Sequence, residues 1–382
     1  MAGLYWITLL ASALSVAFCL GFRGLARQWH LIDIPNARKH HEGSVPLCGG
    51  IAIFLAFSIT AFLIPATQPT QGAANFLSLL PGLFLILLTG VLDDRFSLPV
   101  APRLVIQLLA ACLILGLAGI DRLNLGLAPE LLNTVSEPGS PFGNILTGPV
   151  FLLLALTFIV GLINAVNMSD GVDGLAASSS GASFFWLATI SMTINESLFG
   201  WQALALMATC IGFLVFNMRH RWRAKASLFL GDGGSTFLGA ALAGALLMLA
   251  SRNTAIAFPV LLWIVIVPII DTLSLIARRV YSRKSPFSAD RLHLHHLLMD
   301  AGLSCSQTTV AVLMLNFACG AVAYIAIHLE ISAWPMLLAL SIPVFAHTIF
   351  VMRMTKAPRP IVAVTDAAQP NKSNITFPEA TL

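Results

Sequence analysis

The chain has 382 residues, of which 57% are hydrophobic and only 10% charged, with a mean hydropathy of +0.86 and a formal net charge of +4. A water-soluble domain carries about a quarter charged residues, so this composition excludes a soluble protein with a large core and leaves a polytopic membrane protein. The six cysteines, Cys19, Cys48, Cys112, Cys210, Cys305 and Cys319, show no CxxC spacing and no disulfide framework, and they read as small buried hydrophobes.

A membrane-spanning helix needs about 20 mainly apolar residues. Eleven stretches meet that need, near 4–22, 46–64, 74–92, 103–119, 149–167, 175–194, 201–217, 236–250, 256–276, 309–327 and 334–352. The first has no basic n-region before it and no cleavage site after it, so it reads as a span rather than a signal peptide. The run at 236–250 is short and is expected to extend into its polar neighbours. The expected fold is therefore all-α, with a membrane domain over 1–352. The tail, 353–382, is polar and rich in Pro, Asn and Thr, and is expected to be disordered.

Eleven spans make the connecting segments alternate between the two sides. Every one of the 21 Lys and Arg residues except Arg122 and Arg252 then falls on one side. Basic loops stay in the cytoplasm, which puts the N-terminus outside and the C-terminus inside.

The chemistry-bearing motifs also fall on the basic side. The stretch "VLDDRF" ends the third span. Its adjacent carboxylates, Asp93 and Asp94, repel each other and gain most from a shared hard cation, although a solvated helix end would look the same. The stretch "NAVNMSDGVDGLA" repeats Asn164, Asn167, Asp170 and Asp173 at spacing three, and the last three share a face if helical geometry continues through the glycines. A polar turn between spans is the plainer alternative. In "LFLGDGGSTFLG", Asp232 sits between glycines, in a turn able to expose backbone N–H groups to a phosphate or simply to cap a helix with Ser235 and Thr236 nearby. In "SPFSADRLHLHHLL", His293, His295 and His296 stand beside Arg291. Zinc lacks an obvious fourth ligand there, and a basic loop for anionic phosphates accounts better for both the His and the Arg. Asp271 lies within the ninth span, where an acid is either functional or an internally bonded group that orders the bundle. Carboxylates, glycine turns and a His/Arg loop on one face suit metal-assisted chemistry on a phosphorylated substrate.

These motifs, together with "DIPNARKHHEGSVPLCGGIAIF", occur in an order and on a span pattern that resemble the polyprenyl-phosphate N-acetylhexosamine-1-phosphate transferases over nearly all of 1–352. The "HLHH" loop is similar to that of the bacterial undecaprenyl-phosphate α-N-acetylglucosaminyl branch. That resemblance implies attack by the phosphate of undecaprenyl phosphate on the β-phosphorus of UDP-GlcNAc, giving GlcNAc-diphosphoundecaprenol and UMP. It implies Mg²⁺ or Mn²⁺ as cofactor. It also implies a site at the cytoplasmic face of the bacterial inner membrane, and a product that initiates O-antigen, common-antigen or other surface polysaccharide synthesis. By the same resemblance Asp232 and Asn167 are metal ligands with Asp93 and Asp94 close by. One of Asp93 and Asp94 deprotonates or orients the lipid phosphate, or an Asp serves as a covalent nucleophile. Asp170 and Asp173 are site carboxylates near the nucleotide and metal. His293, His295, His296, Arg291, Arg38, Lys39 and His41 contact substrate, and Asn164 joins them. No nucleic-acid partner is expected, and a homo-oligomer is compatible with the sequence. Transfer from another UDP-N-acetylhexosamine is the nearest alternative. A transporter is the remote one, because transporter acids lie near the bilayer midplane between repeats, and no repeat is present.

Overall fold

The computed structural model describes residues 2–33, 43–67, 75–126, 145–220, 223–253, 256–285 and 292–356. The described residues are mostly helical. In chain order the helices are α1 (Ala2–Leu25), α2 (Gly49–Thr67), α3 (Leu80–Phe96), α4 (Val100–Ala118), α5 (Gly148–Ser169), α6 (Leu175–Thr193) and α7 (Ser197–Asn217). They continue as α8 (Gly231–Arg252), α9 (Phe258–Leu261), α10 (Ile266–Tyr281), α11 (Leu294–Asp300), α12 (Cys305–His328), α13 (Ala333–Ala339) and α14 (Ser341–Lys356).

Each of the eleven expected spans falls on a helix or a consecutive helix pair. Eight described segments are long and apolar enough to cross a membrane, the ninth expected span appearing as Phe258–Tyr281 and the last as Ala333–Thr355. The other three correspond to α2, α3 and α6. The serine-rich start of α6, "LAASSSGAS", lowers its hydropathy. The last helix runs to Lys356, a turn beyond the boundary expected at 352, and the rest of the tail lies outside the described residues. Two short antiparallel ribbons were not anticipated: β1 (Ile32–Asp33) with β2 (Val45–Pro46), and β3 (Arg122–Asn124) with β4 (Ile145–Thr147).

Helix α8 is the centre of the bundle. It is apolar all round and rich in Gly and Ala, a composition that lets neighbouring backbones approach closely in lipid. Residues Gly233–Ala250 are buried throughout, against α2, α3, α5 and α6. The outer helices instead present large apolar side chains outward, among them Trp6 of α1, Leu109 of α4, Leu153 of α5 and Phe345 of α14. Such a surface is stable only against hydrocarbon.

One crossing matters most for function. A Cβ added to Gly90 of α3 would lie 2.5 Å from both Cα and N of Gly233 in α8. The two backbones touch there, one turn before Asp93 and Asp94 and beside Asp232. Gly90→Ala must part these helices, and overpacking of this kind costs about 1–3 kcal/mol. The expected outcome is a melting temperature in detergent lower by several degrees, whereas Gly116→Ala, which meets nothing within 4 Å, leaves it unchanged or slightly raised.

Candidate active site

The start of α8 has no side-chain cap of its own. Asp94, from the end of α3, supplies one: its Oδ1 accepts from the backbone N–H of Asp232 at 2.9 Å and its Oδ2 from that of Gly233 at 3.2 Å. A carboxylate there also meets the positive end of the helix dipole. Gly231 makes room, with φ +76°, and a Cβ on it would lie 2.6 Å from Asp94 Oδ2. The alternative in which Asp232 itself caps the helix gives way to a cap delivered by another helix. This frees the Asp232 side chain to point into the site, where Asn167 Nδ2 donates to its Oδ1 at 2.8 Å and to Ser235 Oγ at 2.9 Å.

Asp93 is buried beside this pair. It forms an ion pair with Arg103 at the start of α4, and its Oδ1 accepts from the Leu98 N–H at 2.8 Å. Its carboxyl group also meets that of Asp232. Asp93, Arg103, Gln107, Asn164, Asn167, Asp232 and Thr236 line one small cavity of about 20 Å³. Asn164 sits one turn deeper than Asn167 and donates to Gln107 Oε1 at 2.8 Å.

The helical face expected for Asn167, Asp170 and Asp173 is broken. Helix α5 stops at Ser169, and Gly174 takes φ +82° with its N–H held by Asn217 Oδ1 at 2.6 Å. The turn separates the two acids. Asp170 stays near Asp232, and burial, then Asp232, then Asp173 push its carboxyl up to about 7. Asp173 turns the other way, where its Oδ2 accepts from Arg219 Nε at 2.6 Å and the Ala226 N–H at 3.3 Å.

The His loop closes over the same turn. A Cβ on Gly171 would lie 2.3 Å from His295 Nε2, so the imidazole rests on the backbone beside Asp170. His295 Nε2 is buried and has no protein hydrogen-bond partner among the described residues. Burial, then His296 and His293, hold its pKa down to about 3, so the ring is neutral. The His293 and His295 rings stack at 5.4 Å.

Arg38, Lys39, His41 and Arg291 lie outside the described residues. The stem of the first basic segment is nevertheless fixed. Pro46 O accepts from the Phe229 N–H at 2.8 Å, and the N–H groups of Gly49 and Gly50 donate to Phe229 O and Leu230 O at 3.0 Å. That stem is therefore tied to the run leading into Asp232. Sequence reasoning missed Arg103, Gln107 and Arg219. A cation at the end of a span looks in sequence like ordinary charge bias between the two sides, and only the Asp93 and Asp173 contacts distinguish these two arginines.

Asp93 pairs with Arg103, Asp94 holds two helix N–H groups, and Asp232 lies between these two acids and Asp170. The raised carboxyl of Asp170 sets a pH dependence. A carboxyl that holds its proton more tightly when folded destabilises the fold progressively as pH rises from its unfolded value, about 4, through 7. Asp170→Asn is therefore expected to match the parent near pH 4 and to melt higher than it above pH 7, when both are measured without divalent ions.

The model of glycosyl transferase family 4 matches residues 76–250, which include both Asp93/Asp94 and Asp232. The undecaprenyl-phosphate alpha-N-acetylglucosaminyl 1-phosphate transferase of Yersinia pestis is 33% identical over 299 residues, 78% of this chain and 77% of the relative. The proteins of the same name from Escherichia coli K12 and Pasteurella multocida are each 30% identical, covering 92% of this chain and 91% and 94% of theirs. The chain belongs to glycosyl transferase family 4, within the group of the undecaprenyl-phosphate alpha-N-acetylglucosaminyl 1-phosphate transferases.

Proposed function

We propose that the chain transfers GlcNAc-1-phosphate from UDP-GlcNAc to undecaprenyl phosphate, releasing UMP and initiating a surface polysaccharide. The observation that carries this reading is the convergence of Asp93, Asp170, Asp232 and the His loop at one end of a lipid-facing bundle, in a chain that aligns along most of its length with transferases of that name. The eleven-span reading, with the N-terminus outside and the C-terminus in the cytoplasm, supports placing that end at the cytoplasmic face of the inner membrane, where nucleotide sugars are found.

The residues suit a hard divalent ion, Mg²⁺ or Mn²⁺. Asp93 and Asp232 bring two carboxylates together with Arg103 as the cation beside them, and the acids outnumber the bases. Among the described residues no three His, Cys, Asp or Glu side chains gather as a closed cage. That pattern is the ordinary one for Mg²⁺, held by one or two carboxylates while substrate phosphates and water complete the shell. When bound, the ion would neutralise charge developing on the diphosphate. Asp232 and Asp93 would hold it, with Asn167 orienting Asp232. Asp94 fixes the separation of the two motifs through the start of α8. Neutral His295 offers its free Nε2 to a phosphate or sugar hydroxyl, and His293, His296, Arg291, Arg38 and Lys39 supply donors around the diphosphate. Asp93 is placed to orient the attacking lipid phosphate.

An apolar groove between α5 and the α9–α10 segment, lined by Leu153, Leu154, Phe158, Phe258, Leu262 and Ile266, has a volume of about 410 Å³ and opens to the lipid side. It suits an isoprenoid chain. Transfer from a different UDP-N-acetylhexosamine would use the same acids.

The purified protein with undecaprenyl phosphate, UDP-GlcNAc and Mg²⁺ is expected to release UMP and form a sugar-lipid, and to stop on addition of EDTA. Asp232→Asn and Asp93→Asn should each lower kcat about 100-fold or more. Turnover confined to another UDP-sugar would replace the donor, and no turnover from folded protein with any UDP-sugar would overturn the reading.

A further inference from the structure

Asp271 is placed on α10 within the apolar segment Phe258–Tyr281 and is only 4% exposed. A carboxylate at that depth persists only when donors satisfy it. Three do. His293 Nδ1 lies 3.2 Å from Oδ2, the Leu294 N–H donates to Oδ1 at 2.8 Å, and His347 Nε2 lies 3.2 Å from Oδ1. A carboxylate only accepts, so both imidazoles donate to it. His347 belongs to α14, the last helix, and is itself buried.

These contacts join parts of the chain that share no motif. Asp271 holds the ring of the first histidine of "HLHH" and the backbone of the next residue, while His347 holds Asp271 from the far side. With Nδ1–H of His293 engaged, its tautomer and ring plane are fixed, and Nε2 is the ring atom left to a ligand. The His293 ring in turn stacks on His295, so its orientation is passed to the histidine that rests on Gly171. A residue serving only to order the bundle would need no such connection to the loop.

We propose that Asp271 and His347 are positioning residues for the transfer reaction: together they clamp His293 and the first turn of α11, so that the last helix sets the orientation of the substrate-facing histidines. The proposal rests on the reading that the His loop contacts the diphosphate donor.

The test uses full-length protein in lipid nanodiscs, with kcat and KM measured for UDP-GlcNAc. Asp271→Asn and His347→Leu are expected to lower kcat/KM about tenfold or more. His347→Gln keeps a donor at nearly the same reach as Nε2 and should recover most of that loss. In a His293→Ala background, His347→Leu should cost much less than in the parent, because most of its effect passes through His293 and only the hold on the Leu294 N–H remains. Asp271→Asn leaves a buried amide and can fail to fold, so His347→Leu, screened for an unchanged melting profile, is the deciding variant. Hydrogen exchange of residues 292–300 is read in parallel and should speed up in His347→Leu. Losses that multiply in the double variant, or a loop whose exchange does not change, would overturn the clamp. If the parent protein turned over no UDP-sugar, the functional reading would fail, and the exchange measurement would still decide whether His347 holds the loop.

Discussion

The carboxylate of Asp94 spans the backbone N–H groups of Asp232 and Gly233 in the first turn of the central helix, and the candidate-site end of the bundle is assembled around that contact. An α-helix that begins inside a membrane protein has orphan N–H groups that no solvent reaches. Here the satisfying group comes from a different helix. It can arrive only because Gly90 and Gly233 bring the two backbones into contact and Gly231 leaves space for the carboxylate. The same contact sets Asp93 against Asp232, since Asp93 precedes Asp94 on α3 and Asp232 donates one of the two N–H groups.

The buried acids then divide by what satisfies them. Asp94, Asp173 and Asp271 are met by protein donors: helix N–H groups, Arg219 with a backbone N–H, and two histidines with a backbone N–H. Their oxygens are taken up by donors that tie one segment to another, although Asp94 also feels the neighbouring Asp232. Asp93, Asp170 and Asp232 crowd together with Arg103 and Asn167 as partners. Like charges held this close in a low-dielectric setting repel strongly, and the fold must be stable enough to keep them there. Acidic groups crowded beside a loop of histidines suit the cation and diphosphate of the function proposed above.

The membrane explains why so much of the site is made by helix ends. Inside hydrocarbon each backbone polar group must be bonded, so irregular backbone collects at the surface of the bundle. Turns at Asp170–Gly174, Leu230–Gly231 and the stem at Val45–Gly50 meet at one end; Phe229 and Leu230 bond the stem, and the Ala226 N–H bonds Asp173. Chemistry-bearing residues follow these turns, while the helices between them carry mainly apolar and small residues.

Hydropathy alone placed every long helix, because burial in lipid demands runs of apolar residues about 20 long and leaves no freedom about where they fall. The motifs likewise announced the acids and the histidines by residue type and spacing. What local pattern could not show was which acids face a substrate and which are bonded away. Asp170 and Asp173 look equivalent in "SDGVDG", yet the helix ends at Ser169 and the turn that follows leaves one near Asp232 and the other at Arg219. Asp232 read equally well as its own helix cap until Asp94 took that place. His347 carried no signal, since a single histidine in an apolar run resembles any other. Apolar periodicity is a property of the chain taken a few residues at a time, whereas the pairing of a buried carboxylate depends on donors as far as 139 residues away in sequence, and only tertiary packing brings them within reach.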